Sequence, residues 1–263
     1  MTKTKTTVLV VAVLLFVAAV VIIKLVFFPS IKDAWFTMNR RSLQQVPANL
    51  VVIRPTHFAG STRKGIFYAM SQQDGRNVQR MMGRNVPLQD VIAAAYGHNP
   101  ARVALPSDAP KDNYDFLVTV TEKPEEHLQS AIRRKLGYTA QLETRDTPVL
   151  ALKVEDANSP GLTVSPDDEK QSEDMKDGKL YFKHTPVSIL PEGLEQGLKQ
   201  PVVDETGLTN FYDFSLVWDQ RIQQMMQSGS FDLDAVKKIL DGWGLGLEPD
   251  TASLEMLVVK KTD

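Results

Sequence analysis

The chain has no cysteine among its 263 residues, which excludes disulfides, thiolate zinc sites, cysteine-ligated iron–sulfur clusters and a cysteine nucleophile together. Histidine is scarce: His57, His98, His127 and His184 are scattered, and none stands i, i+4 from another in a metalloprotease pattern. The nucleophile-elbow, P-loop and dinucleotide fingerprints are absent, so the common devices for acyl transfer and phosphate binding are missing. Excess positive charge is missing too. Setting aside Lys3, Lys5 and Lys24 leaves 27 basic residues against 32 acidic, a net charge of −5, which argues against nucleic acid as a partner and against an electrostatic hold on anionic lipid.

One long hydrophobic run is present. Thr6 to Phe28 carries a single charge, Lys24, in 23 residues, enough at ~1.5 Å per residue to cross a hydrocarbon core of ~30 Å. Lys24 lies close enough to the end for its stem to carry the ammonium to the headgroups. A cleaved signal peptide competes with an anchor here, because Lys3 and Lys5 make a small basic start. The apolar run is longer than a usual signal core and lacks a small-residue cleavage site, which favours an uncleaved anchor. The short N-terminal tail places the bulk of the chain outside the cytoplasm, as a single-pass protein of the inner membrane.

After the anchor, hydrophobic periodicity gives an α+β reading of short strands and amphipathic helices. Leu50–Arg54, Ile66–Met70 and Val78–Met82 are strand candidates. Pro87–Tyr96 sets Leu88, Val91, Ile92 and Ala95 on one helical face before Gly97, and Pro124–Leu136 does the same with Leu128, Ala131 and Ile132. Tyr114–Val120 alternates as a strand, and Tyr138–Glu143 with Pro148–Val154 reads as a hairpin. The same grammar then returns about 100 residues later: FKHTPVSILPEGLEQG answers MGRNVPLQDVIAAAYG, FYDFSLVW answers NYDFLVTV, and DAVKKILDGWGLGLE answers SAIRRKLGYTAQLE. The expected organisation is an anchor (1–29), a juxtamembrane tether with Trp35 and Phe36 at the interface (30–48), a first α+β module (49–155), a polar linker (156–179) and a second, related module (180–263) with mixed or antiparallel sheets. Pro191, Gly193 and Gly197 predict a short or irregular helix there, and Ser230 is a candidate N-cap for the helix that follows.

The block PVVDETGLTNFYDFSLVW (201–218), with VVIRPT (51–56), PLQDVIAAAYG (87–97) and TPVLALKVED (147–156), resembles a soil-associated, acidobacterial-type protein family of unknown function. That resemblance covers about Leu50 to Lys261, implies an exported or anchored envelope protein, and brings no site residues with it. The segment IRRKLGYTAQLE (132–143) departs from it, standing where the family often carries a longer Arg-Phe-Lys-Leu stretch. A weaker likeness, of fold only, is to the short N-terminal domains of secretins and TonB-dependent receptors, which pair a Pro-Leu helix with a later helix and hairpin.

No catalytic, cofactor-binding or metal-binding residue is therefore assigned, and no cofactor is expected. Asp204 and Glu205 are conceivable as an acid/base pair, but Asp-Glu-Thr-Gly is turn chemistry, with Asp bonding nearby amides and Gly207 taking a positive φ. Asp115 and Asp213, each within Tyr-Asp-Phe, are expected on the strand face opposite the aromatics. The acidic cluster Asp167, Asp168, Glu169, Glu173 and Asp174 lacks the spacing of a calcium loop. Met81–Met82 and Met225–Met226 read as adaptable packing residues. The function expected is that of an anchored, non-enzymatic envelope protein that binds a protein partner or a copy of itself. The alternatives are a cell-wall or periplasmic-peptide enzyme using Asp204 and Asp213, and a small-ligand sensor using the cleft between modules.

Overall fold

The computed structural model describes residues 33–73 and 76–262, and the side chains of these except within 71–78. The apolar run Thr6–Phe28, and with it the expected anchor, lies outside the described residues; among those described, no helix is long and apolar enough to cross a membrane. In chain order the strands are β1 (Val51–Pro55), β2 (Gly65–Gln73), β3 (Arg76–Pro87), β4 (Val103–Ala104), β5 (Asn113–Val118), β6 (Tyr138–Val154), β7 (Leu162–Val164), β8 (Ser172–Lys176), β9 (Lys179–Pro186), β10 (Val202–Asp204), β11 (Phe211–Val217) and β12 (Leu245–Lys261). The α-helices are α1 (Arg40–Gln45), α2 (Leu88–Tyr96), α3 (Pro124–Leu136), α4 (Leu190–Leu198), α5 (Gln220–Ser228) and α6 (Leu233–Asp241). The architecture is α+β, with three four-stranded sheets. Contacts divide it into two compact units that interleave in sequence: the chain up to Val86 with Asp112–His127, and Pro87–Lys111 with Leu128 onward.

The first unit is built on the sheet β1-β5-β3-β2. β5 lies between β1 and β3, so both of its edges are paired, and Tyr114 through Val118 are all buried. Residues 33–48, expected as part of a tether, belong to this unit. Phe36 and Leu43 are fully buried, with Val46, in a core that includes Val52, Ala69, Met82 and Leu117. Asn39 caps α1 by accepting the Ser42 N–H at 2.7 Å. At the other end of α1, buried Arg80 donates to the carbonyls of Leu43, Gln44 and Val46 at 3.0, 3.0 and 2.7 Å, satisfying oxygens that a helix end leaves open. Phe36, Leu43 and Val46 are too sparse among polar neighbours to mark a core face by pattern alone.

The second unit carries the other two sheets. In one, β6 and β12 pair antiparallel along their whole length, from Leu245↔Val154 to Lys261↔Tyr138. The hairpin expected within 138–154 is thus a single strand of 17 residues. Thr144-Arg145-Asp146-Thr147 supplies neither Gly nor Asn for the positive φ of a tight hairpin turn, and the strand runs straight through. Short β10 adds parallel to β6, and short β4 adds parallel to β12, giving the order β10-β6-β12-β4. Each half of the sequence therefore completes its long strand with the short strand of the other half.

The remaining sheet has the order β7-β11-β9-β8, which repeats β1-β5-β3-β2 strand for strand. β7 and β8 fall in the stretch expected as a linker; every residue of β8 is exposed, which is why its composition reads as solvated. α2 and α3 occupy the expected spans and bury Leu88, Val91, Ile92 and Ala95, and Leu128, Ala131 and Ile132. Gly97 ends α2 at φ 62, its N–H returning to Ala93. The N-cap of α6 is Asp232, bonded to the Ala235 N–H at 2.8 Å, two residues beyond the Ser230 expected.

Because β12 finds its long partner β6 in the other half, a separated chain of residues 156–263 is expected to show no cooperative thermal transition alone and to gain one when mixed with residues 33–155, which hold the whole core of the first unit. Far-ultraviolet circular dichroism on each fragment and on the mixture checks this; a sharp transition in 156–263 alone would contradict it.

Candidate functional site

The carboxylates that stood out in the sequence are held by local structure. Asp204, at the end of β10, accepts the N–H of Thr206 at 2.9 Å and its hydroxyl at 2.6 Å. Glu205 lies 3.6 Å from Lys153. Asp213, in a different sheet, takes the His184 N–H at 3.0 Å and the Lys183 ammonium. Asp204 and Asp213 thus share no partner. Asp115 does in the first half what Asp213 does in the second. Fully buried, it accepts the Asn85 N–H at 3.0 Å, the Thr56 hydroxyl at 2.8 Å and the His57 N–H at 3.0 Å, with Arg54 Nε at 3.4 Å.

The two arrangements correspond residue by residue. Asn85 and His184 both sit at positive φ, 52° and 46°, a conformation that costs a non-glycine residue energy. Each lies just before the proline that leads into a helix, and each has its amide fixed by the Asp of a Tyr-Asp-Phe strand. Thr56 N–H to Asn113 and Ser165 N–H to Phe211, both 2.9 Å, close the outer edge in the same way. The carboxylate acts as a clamp on a kinked strand, turning the chain from sheet to helix. Burial pushes the Asp213 carboxyl upward, but the bonds from Lys183, His184 and Ser165 outweigh it, and its pKa lies below the ordinary value.

Other candidates also resolve into structure. Among the described residues, no group of three His, Asp or Glu side chains is placed to hold a metal ion. His184 stacks on Phe211, ring centres 4.1 Å apart, and His57 Nδ1 meets Asp33 at 3.1 Å. Met81 and Met82 are fully buried core residues. Ser61-Thr62-Arg63-Lys64 has the spacing of a Ser-x-x-Lys pair, but it lies outside any helix and the Ser61 hydroxyl donates to the Arg63 carbonyl. Glu195, which no motif marks, is 3% exposed and accepts from Arg102 at 2.7 and 2.8 Å, Asn99 at 2.8 Å and the Val202 N–H at 3.0 Å. It ties the segment before β4 to α4 and β10. Its side-chain partners Arg102 and Asn99 lie 93 and 96 residues away, so no local pattern reveals it.

The second unit also holds an apolar cavity of about 300 Å³. Leu180 and Phe182 of β9 and Phe214 and Leu216 of β11, with Trp218 just beyond β11, form its floor, alternate residues sharing one sheet face. Leu190 and Leu194 of α4 and Val236, Ile239 and Leu240 of α6 make two walls, and Ile222, Met225 and Met226 of α5 a third. Phe214 lies 4.9 Å from both Phe182 and Trp243, centre to centre. Trp243 turns its indole N–H to the Ser215 carbonyl at 2.9 Å, leaving its apolar surface for the cavity. No lining residue is ionisable.

The cavity depends on features that the first half lacks. α5 is an insertion: between β5 and α3 only residues 119–123 intervene, whereas 218–232 lie between β11 and α6. Asp219 caps α5 through the Ile222 N–H at 2.8 Å, and Gly229 ends it at φ 61. Between those ends Ile222 and Met225 turn inward and four glutamines make up much of the remainder, a helix signature in residues 219–229 that the sequence reading passed over. At the position matching Phe182 the first half has Gly83, where a Cβ would meet the Phe116 ring at 2.1 Å.

With this geometry in hand, comparison with known proteins finds that a family described as a protein of unknown function (DUF3738) matches residues 89–262. No curated protein and no solved structure matches the chain. Neither a bacterial group nor a receptor-domain likeness is part of the match.

Asp115→Ala is expected to destabilise the fold by about 3–5 kcal/mol, the cost of leaving buried partners unpaired, and Asp213→Ala by less, because Lys183 is 42% exposed. Urea unfolding at neutral pH checks the order. Since the Asp213 pKa is lowered on folding, its contribution is present above the unfolded carboxyl pKa and is lost as pH falls through the folded one; in Lys183→Ala that acid loss should shrink. Gly197→Ala sets a Cβ 2.1 Å from the Phe231 ring and should lower the melting temperature, whereas Gly193→Ala, with open space around it, should raise it through helix propensity.

Proposed function

This chain belongs to the DUF3738 family of proteins of unknown function, and from that premise we propose that it is a membrane-anchored, non-enzymatic binding protein of the cell envelope whose working site is the apolar cavity beneath α5. Its tandem halves are two copies of one α+β motif. The first is the plainer copy, and the second gains α5 and with it a site. The observation that carries the reading is the cavity itself. It has the size of a small-molecule pocket, its lining holds five aromatic rings and two adaptable methionines, and it contains no acid or base that could move a proton.

The placement of the carboxylates supports binding over catalysis. Asp204 and Asp213, which an enzyme of the cell wall or of periplasmic peptides would use, are each engaged in bonds that shape the backbone. The anchor at residues 6–28 would hold the folded part on the extracytoplasmic side of the inner membrane. A second reading, a protein partner or a second copy inserting an apolar side chain, is favoured by Ile189 and Met226, which line the cavity and are 47% and 56% exposed.

The full chain, kept in solution by a fluorinated surfactant whose tails do not mix with hydrocarbon, is expected to bind the neutral probe phenylnaphthylamine at one site, seen as a rise in probe fluorescence. Gly193→Trp, which builds into the cavity mouth, should abolish the rise, and Asp204→Asn should leave it unchanged. No rise with the unsubstituted chain would refute the cavity as a binding site.

A further inference from the structure

The walls of the cavity say more about an occupant than that it is apolar. With no ionisable residue lining it, a buried charge on the ligand would find no counter-ion, and that cost selects strongly against a carboxylate or an ammonium group. Two indoles stand in the lining, and they differ. Trp243 is 8% exposed and its N–H is already bonded to the Ser215 carbonyl. Trp218 is half-buried, at the junction where β11 gives way to α5, and its backbone N–H is used by Gly178. The Trp218 indole N–H has no hydrogen-bond partner among the described residues, and an indole nitrogen is a donor only.

We propose that the cavity takes a neutral ligand with a hydrocarbon or aromatic body and one oxygen acceptor, a ketone, ester or lactone, whose carbonyl accepts from Trp218 at the mouth. The inference rests on the cavity being the binding site and adds the ligand's class and orientation. The body lies against Phe182, Phe214 and Trp243, where offset aromatic faces and the flexible Met225 accommodate varied shapes. The acceptor end stays beside half-buried Trp218, the one side-chain donor of the lining without a partner among the described residues. Such a division, an apolar chamber with a single orienting polar group, is the usual construction of a small-molecule site. A protein partner inserting an apolar side chain has no need of that donor, so the two occupants are separable.

The test compares three ligands of equal length on the full chain in fluorinated surfactant, by displacement of phenylnaphthylamine: an eight-carbon methyl ketone, the matching terminal alkene and the matching carboxylate at neutral pH. The ketone is expected to bind roughly three- to tenfold tighter than the alkene, the worth of one net hydrogen bond, and the carboxylate weakest. Trp218→Phe should bring the ketone down to the alkene's affinity while leaving the alkene unchanged, and unchanged alkene binding reports that the variant is folded. Equal affinities for ketone and alkene in the unsubstituted chain, or a preference that survives Trp218→Phe, would overturn the assignment of Trp218. Failure of the alkene itself to displace the probe would instead strike the cavity as a site.

Discussion

The antiparallel ladder between β6 and β12 is the constraint on which the second unit depends. Seventeen residues of each strand pair in unbroken register, and the flanking strands β10 and β4 are too short to stand without them. Because β10 follows the helix of one half and pairs with the long strand of the other, and β4 does the reverse, neither half closes this sheet by itself. A long two-stranded ribbon is marginal in water until something covers it. Here α4 and α6 do so near one end, with Leu150, Leu152, Leu245 and Leu247 in their core. The middle of the ribbon stays exposed and carries Arg145, Asp146, Asp250 and Glu255, charges that keep an open edge from pairing with other chains.

Repetition supplies a second constraint, the Asp clamp of the Tyr-Asp-Phe strands. In both halves a buried or half-buried carboxylate fixes the amide of a residue at positive φ, and the chain leaves the sheet for a helix at the next proline. The surroundings then diverge. In the first half Gly83 lets the Phe116 ring lie across the neighbouring strand. In the second half Phe182 stacks on Phe214, and the inserted α5 walls the space beside them. A duplicated scaffold thus keeps the costly backbone geometry twice and varies the side chains over it, the pattern expected where function is grafted onto a conserved frame.

Much of the fold was legible in the letters. α2 and α3 followed from apolar residues at i, i+3 and i+4, and the strands of the Tyr-Asp-Phe blocks from alternation, because local periodicity reports which face of an element meets a core. The turn role of Asp204 was legible as well, from the local chemistry of Asp-Glu-Thr-Gly. Less was visible where partners are remote. Phe36 and Leu43 were too sparse to mark a face, although their burial in the first unit begins the fold before Leu50. Glu195 finds Arg102 across 93 residues, and α5 required reading Asp219, Ile222, Met225 and Gly229 together as cap, face and stop.

The amino-acid sequence by itself determined the element types, the internal repeat and the lack of a cysteine or metal-ligand pattern, because each depends on residue chemistry within a few positions along the chain. Only the tertiary structure decided that 138–154 is one strand paired with 245–261 and that the halves exchange their short strands. It alone decided, too, that apolar residues from β9, β11, α4, α5 and α6 converge on one cavity. Those outcomes rest on contacts between segments tens to a hundred residues apart, where strand register and the burial of shared apolar surface choose among pairings that local propensity leaves equivalent.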